Sequence, residues 1–207
     1  MKKIILSLAL VTSIFTSCDE KDPITPPTPP EVTPEVVVDV EMDATSKTVW
    51  HYYSFAKAKI VGSGAAIDDT KWAENKEWDI AISRYKVRTN SGTSGNALSG
   101  LYSHVDADGK NIPYDFVAFT TVPTTATFVK DVVVTEETMA GGTTTESKST
   151  AVVAVMAAGM PPVWKKSPLY IFPCADGENH YKVEFLSYKN SANVSGQISF
   201  RFSKITK

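Results

Sequence analysis

Alternation of apolar and polar positions is the dominant pattern in this chain. Tyr181, Val183 and Phe185 alternate with Lys182 and Glu184; Ile198, Phe200 and Phe202 alternate with Ser199, Arg201 and Ser203. Trp78, Ile80 and Ile82 alternate in the same way with Asp79, Ala81 and Ser83. A period of two is the repeat of a strand with one face buried and one face wet. The runs Val132-Val133-Val134 and Ala151-Val152-Val153-Ala154-Val155 are continuous and rich in β-branched residues, which predicts strands covered on both faces. Turn signals stand between these runs at Asp108-Gly109, Gly141-Gly142, Pro161-Pro162 and Asp176-Gly177. No long amphipathic helix is visible. The pattern therefore predicts an all-β domain of many short antiparallel strands joined by hairpin loops.

The first 34 residues obey a different rule. Lys2 and Lys3 precede an apolar run from Ile4 to Phe15, too short to span a bilayer as a mature helix. Phe15-Thr16-Ser17-Cys18 then reads as a lipoprotein cleavage site, so residues 1–17 are expected to be a signal peptide and Cys18 the lipidated first residue. Several acyl chains on such a cysteine would anchor the protein to a lipid bilayer more firmly than one. An ordinary cleaved signal peptide with an incidental cysteine is the alternative. Asp19-Glu20-Lys21-Asp22 is acidic and resembles the tag that sends some lipoproteins to the outer face of the outer membrane. Six of the twelve prolines lie between Pro23 and Pro34. Proline at this density holds a chain extended as polyproline II or leaves it a disordered linker. Residues 18–34 are thus a tether, and residues 35–207 one domain able to bury a sizeable core.

Composition narrows the partners. Loss of Lys2 and Lys3 with the signal peptide lowers the formal charge of −2 by two. That acidity gives no reason to expect nucleic acid or an anionic lipid surface. Of the two cysteines, only Cys174 would remain thiol-bearing, so no intramolecular disulfide is available. Cys174 reads as a small buried hydrophobe.

Catalytic signals are weak. The three histidines, His51, His104 and His180, sit in no nucleophile or metal motif. Asp106-Ala107-Asp108-Gly109 resembles the start of a calcium loop but lacks the later ligands, and a hairpin turn explains it better. Ser91-Gly92-Thr93-Ser94-Gly95 has no strand-to-helix context and no P-loop lysine. The chain is not read as an enzyme.

The methionines stand out instead. Met139 lies beside Gly141-Gly142 in a threonine-rich stretch, Met156 ends an apolar run, and Met160 stands between Gly159 and Pro161. Methionine usually fills gaps in a core, a role with no purpose at a loop tip. A thioether is also a soft ligand for haem iron or copper. Flexible apolar lining of a hairpin would account for the same residues.

A resemblance bears on that choice. Thr48-Val49-Trp50-His51-Tyr52-Tyr53-Ser54-Phe55, then Trp78-Asp79-Ile80-Ala81-Ile82, then Arg88-Thr89-Asn90-Ser91-Gly92-Thr93-Ser94-Gly95 resembles the signature of the HmuY family. Asp176-Gly177, Tyr181-Lys182-Val183-Glu184-Phe185 and Gly196-Gln197-Ile198-Ser199-Phe200 are similar to that family's closing hairpin. The resemblance covers most of residues 45–205. It implies an all-β haem-scavenging surface lipoprotein, a haemophore, whose hairpin loops clamp haem b (iron protoporphyrin IX). The implied partners are a TonB-dependent outer-membrane haem receptor and host haemoproteins as haem source. Family members hold the iron between two axial residues, histidines in some and methionines in others. The region from Val132 to Pro162 contains no histidine but does contain Met139, Met156 and Met160. The resemblance thus implies the bis-methionine type, with Met139 as first ligand and Met160 rather than Met156 as second, because Met156 ends the apolar run. Trp164, Phe128 and Tyr170 are candidate walls. Trp78 is expected to pack the core, and Asn90-Ser91-Gly92 to shape a turn. The competing functions are a cofactor-free glycan- or protein-binding surface lipoprotein and an adhesive module.

Overall fold

The computed structural model describes residues 35–46, 48–64, 70–84, 86–132, 136–137, 143–144 and 169–207. The chain divides into two units, Met1–Thr33 and Pro34–Lys207, and every element below belongs to the second. The strands are β1 (Val38–Asp43), β2 (Trp50–Ser54), β3 (Lys59–Gly64), β4 (Ile80–Ser83), β5 (Lys86–Thr89), β6 (Tyr102–Ser103), β7 (Glu136–Glu137), β8 (Thr143–Thr144), β9 (Tyr170–Pro173), β10 (His180–Lys189) and β11 (Ser195–Ile205). One short helix, α1 (Thr70–Glu74), precedes β4. The strands form a five-stranded sheet ordered β1-β11-β10-β9-β6, a four-stranded sheet ordered β3-β2-β4-β5, and a β7-β8 ribbon. Every strand pair among the described residues is antiparallel. The all-β expectation holds.

The alternating positions explain the sandwich. Val183 and Phe185 of β10 and Ile198, Phe200 and Phe202 of β11 share one buried cluster with Tyr53 and Phe55, Ile80 and Ile82, and Val87 of the other sheet's segment. Rings meet across the two sheets: Tyr53 and Phe200 at 5.4 Å, Phe55 and Phe202 at 5.1 Å. Each such aromatic pair contributes about 0.5–1.5 kcal/mol beyond its buried area. Cys174 lies in the same cluster as a free thiol, and burial pushes its pKa up.

Two expectations need correction. The polar face of β4 is not wet: Asp79, Ala81 and Ser83 are buried along with Ile80 and Ile82. A second apolar layer made by Trp50, Tyr52, Trp72, Trp78 and Ala81 accounts for Ala81, whereas the Asp79 carboxylate turns to the Phe55 and Ala175 amides. Trp78 therefore packs there rather than between the sheets. Tyr52 stacks on Trp72 of α1 at 4.3 Å, and Trp78 donates its indole N–H to the Trp72 carbonyl at 2.7 Å. The backbone of Gly62 passes so close that a Cβ would sit 1.8 Å from the Trp72 ring. One position on the polar face of β10 is also covered, while Glu184 on that face is half-buried. Lys182 is buried, because the chain from Tyr114 to Phe119 lies over it.

The turns follow their sequence signals where they are described. Asp106 Oδ1 accepts from the amides of Asp108 (3.0 Å) and Lys110 (2.8 Å), which makes Asp106–Gly109 a turn. Asp176-Gly177 closes back on the Cys174 carbonyl at 2.9 Å. Gly141-Gly142, Pro161-Pro162, Val133-Val134 and Ala151–Val155 lie outside the described residues. Val132 is 49% exposed, so its run does not begin as a strand covered on both faces.

Candidate functional site

The predicted anchor Cys18, the predicted ligands Met139, Met156 and Met160, and the wall candidate Trp164 all lie outside the described residues. The structure does define the frame on which the methionine-bearing segment is mounted. Leu101, just before β6, exchanges backbone hydrogen bonds with Val129 at 3.1 and 2.8 Å. Two residues later, Asp131 is only 1% exposed. At the far end, buried Leu169 accepts from the His104 amide at 2.9 Å, and Tyr170 and Ile171 pair with Ser103 and Tyr102. The four residues 101–104 thus hold both the departure and the return of the intervening chain.

Asp131 is fixed by the Arg88–Gly95 stretch. Its Oδ2 accepts from the Thr89 amide at 2.6 Å, its own amide donates to Ser91 Oγ at 3.1 Å, and its carbonyl accepts from the Thr93 amide at 3.0 Å. Thr89 and Ser91 hydroxyls lie 2.8 Å apart. Gly92 sits at φ +61°, and a Cβ there would fall 1.9 Å from the Asp131 carbonyl oxygen. Only glycine suits both conditions.

The same stretch supports the second apolar layer. Arg88 is buried, donates to the Tyr52 hydroxyl, and lies over the rings of Trp50 (4.6 Å), Tyr52 (5.2 Å) and Trp78 (5.6 Å). Aromatic faces attract a guanidinium, most strongly when both are desolvated. Asn90 Nδ2 donates to the carbonyls of Asn75 (2.8 Å) and Trp78 (2.9 Å). The turn expected at Asn90-Ser91-Gly92 is present.

The wall candidates divide. Phe128 is half-buried, with Tyr102 at 6.1 Å and His180 at 5.5 Å. Tyr170 is buried in the inter-sheet cluster against Phe172 and Phe185, so it cannot line a surface cleft. Its isolated place in the sequence did not distinguish core from wall.

Each histidine is engaged within the fold. His51 Nδ1 lies 3.0 Å from Ser63 Oγ across the β2–β3 pair. His104 packs on Phe119 at 5.2 Å and Tyr114 at 6.5 Å. His180 Nδ1 lies 3.2 Å from the Glu178 carbonyl. Burial pushes the pKa of all three below the usual histidine value. No group of three or more His, Cys, Asp or Glu able to hold a metal occurs among the described residues. Asp131 and Lys182 were missed in the sequence; a lone acid entering a valine run and a lysine in an alternating strand are weak signals.

An antiparallel two-sheet sandwich, in which Val129 and Leu169–Ile171 pair with the stretch 101–104, defines a class of β proteins. Residues 46–202 match the family described as HmuY protein, and the chain belongs to that family. Solved structures agree on the fold. A protein from Bacteroides vulgatus ATCC 8482, assigned as HmuY-like and haem-binding, is 22% identical with a TM-score of 0.56, over 80% of this chain and 90% of that one. A protein from Bacteroides fragilis NCTC 9343, assigned as a lipoprotein, is 21% identical with a TM-score of 0.52, over 80% and 88%. The apo HmuY analogue of Tannerella forsythia is 18% identical with a TM-score of 0.55, over 86% and 100%. No curated protein matches the chain.

Proposed function

We propose that this protein is a haemophore: a surface lipoprotein that binds haem b and hands it to a TonB-dependent outer-membrane receptor. Membership of the HmuY family supports haem as the ligand, as does the haem-binding assignment of the Bacteroides vulgatus relative. The observation that carries the ligand set is in the sequence. Within the matched region, the stretch from Val132 to Pro162 holds Met139, Met156 and Met160 and no histidine. Neutral thioether donors fit an iron porphyrin, whose axial positions accept soft sulfur. Met139 and Met160 are the proposed axial pair, with Met156 as the substitute for Met160. Haem bound there would serve as cargo for iron acquisition, drawn from host haemoproteins, and no catalytic step is needed.

Titration with haemin, run oxidised and reduced, tests this reading. A saturable Soret shift is expected, stronger with reduced haem. No spectral change in either state would favour a cofactor-free glycan- or protein-binding lipoprotein.

Cys18 is the proposed anchor and residues 18–34 the tether, supported by the sequence order and by the lipoprotein assignment of the Bacteroides fragilis relative. Cys18→Ala should move the protein out of the detergent phase in a partition assay. Unchanged partitioning would refute lipidation.

A further inference from the structure

The outward face of β1, β11 and β10 is not flat. Ile198, Phe200 and Phe202 point into the inter-sheet core, so Gln197, Ser199 and Arg201 of β11 project from the opposite face. Strand register places Asp39, Glu41 and Asp43 of β1 along one side of them, and Glu184 of β10 beside Arg201 on the other. Two cavities open along this row. One, of about 350 Å³, has Glu184 and Arg201 together with Ile112, Pro113, Tyr114 and Phe116. The other, of about 470 Å³, has Gln197 and Ser199 together with Glu41, Lys189, Asn190 and Ser191. Register shifts between Phe185 and Lys189 draw β10 out of regular pairing beside the second cavity. Ser199 and Arg201 are successive residues of one strand face, about 7 Å apart, so the two cavities lie side by side.

Glu184 accepts from the Tyr114 hydroxyl through Oε1 at 3.1 Å and from Arg201 Nε through Oε2 at 2.6 Å. The Arg201 guanidinium also lies over the Phe116 ring at 4.4 Å, so its plane is held from two directions. Nε is the only guanidinium nitrogen with a hydrogen-bond partner among the described residues, which leaves the other N–H donors in a fixed planar fork. Each Glu184 oxygen keeps a further lone pair. A guanidinium and a carboxylate side by side, next to an apolar wall of Ile112, Pro113 and Tyr114, suit a ring with hydroxyls on its edge and C–H groups on its face. The second cavity again mixes donors and acceptors: a carboxylate, an ammonium, amides and hydroxyls. Charge separates the ligand classes. Asp39, Glu41, Asp43 and Glu184 outnumber Arg201 and Lys189 along the row, which repels an anion, while Arg201 at its centre opposes a cation. We propose that this face binds a neutral oligosaccharide, with Arg201 and Glu184 holding the hydroxyls of one ring and Gln197, Ser199 and Asn190 those of the next. The site uses none of Met139, Met156 and Met160, so it is independent of haem.

The test is a printed array of neutral and sialylated oligosaccharides, with oligolysine as the basic control, followed by calorimetric titration of the haem-free protein. The unaltered protein should retain neutral oligosaccharides, and bind them more tightly than the corresponding monosaccharide. Arg201→Lys keeps the charge and loses the planar fork, so it should weaken binding about 10-fold or more. Ser199→Phe stands between the two cavities and should remove the advantage of the longer chain while sparing the monosaccharide. If Arg201→Lys does not fold, Tyr114→Phe keeps the ring and frees Glu184 of one donor, and a smaller loss in the same direction is expected. Absence of binding to any neutral oligosaccharide, preference for the sialylated chains or for oligolysine, or equal affinity in Arg201→Lys would each overturn the proposal. Adding haemin should leave the saccharide affinity unchanged, and competition between the two would overturn the separate site. A protein that binds the saccharide and no haem would support this inference and count against the haemophore reading alone.

Discussion

Lys182 Nζ lies 2.6 Å from a carboxylate oxygen of Glu35, with the lysine side chain wholly buried. Val183 points into the inter-sheet core, so Lys182 projects from the opposite face of β10. There its ammonium also donates to the carbonyls of Phe116 and Phe119, the latter at 2.6 Å, and lies over the Phe116 ring at 4.6 Å. A buried cation survives only when such partners replace its hydration.

Lys182→Ala should therefore destabilise the domain by about 3–5 kcal/mol, because it leaves Glu35 and buried carbonyls without their cation. Glu35→Ala should cost less, since the carbonyls still surround the ammonium. Urea midpoints of the two variants check this, and a larger loss for Glu35→Ala would contradict it.

Asp79 ties the two sheets together. Its Oδ2 accepts from the Phe55 amide at 2.8 Å and its Oδ1 from the Ala175 amide at 2.7 Å, one on each side of the sandwich. Asp79→Ala strands both buried N–H groups, an expected cost of about 2–4 kcal/mol. Burial holds the Asp79 carboxyl above its usual range, against the pull of those two bonds. With its folded pKa raised, the contribution is full at low pH and is lost as pH rises through that folded value. Asp79→Asn avoids the ionisation and keeps one acceptor, so it should cost less than alanine at neutral pH. Equal losses in thermal denaturation would refute the two-acceptor account.

The strands of the inter-sheet core were legible because alternation is a local property. Ile80 and Ile82, Val183 and Phe185, and Ile198, Phe200 and Phe202 all face where their period places them. Alternation says nothing about what covers the second face. Ala81 and Lys182 read as wet, yet the layer of Tyr52 and Trp72 and the chain near Phe116 bury them, and Asp79 turns to the amides of Phe55 and Ala175, the latter 96 residues away. The candidate site divides in the same way. The proposed donors Met139 and Met160 rest on the sequence alone and lie outside the described residues, whereas the Thr89–Asp131 bond joins residues 42 apart and leaves no local trace.

His180 supplies a test in mild acid. It is 3% exposed, and burial lowers its pKa below 6.5, more than its bond to the Glu178 carbonyl raises it. The unfolded chain thus takes up a proton before the folded one does, so stability falls as pH drops below about 6.5 towards the folded value. His51 and His104 are displaced in the same direction and add to the slope. His180→Phe should flatten the fall in urea midpoint between about pH 7 and pH 5. An identical slope in the variant would show that His180 does not titrate with folding.

The proposed haem ligation predicts a different pH behaviour. A thioether has no proton to lose near neutrality, whereas imidazole must be neutral to bind iron. Binding through Met139 and Met160 should therefore persist at mildly acidic pH, as long as the domain remains folded. Methionine ligation also favours reduced iron, so ferrous haem should bind more tightly than ferric. Met139→Ala and Met160→Ala should each weaken binding and alter the Soret band, and the double variant should do so most. His51→Ala, His104→Ala and His180→Ala should leave the reduced spectrum unchanged wherever the variant folds. If Met156→Ala abolishes the spectrum while Met160→Ala does not, the second ligand is Met156 and the bis-methionine mechanism stands. If every methionine variant binds normally and one histidine variant does not, the bis-methionine assignment is wrong.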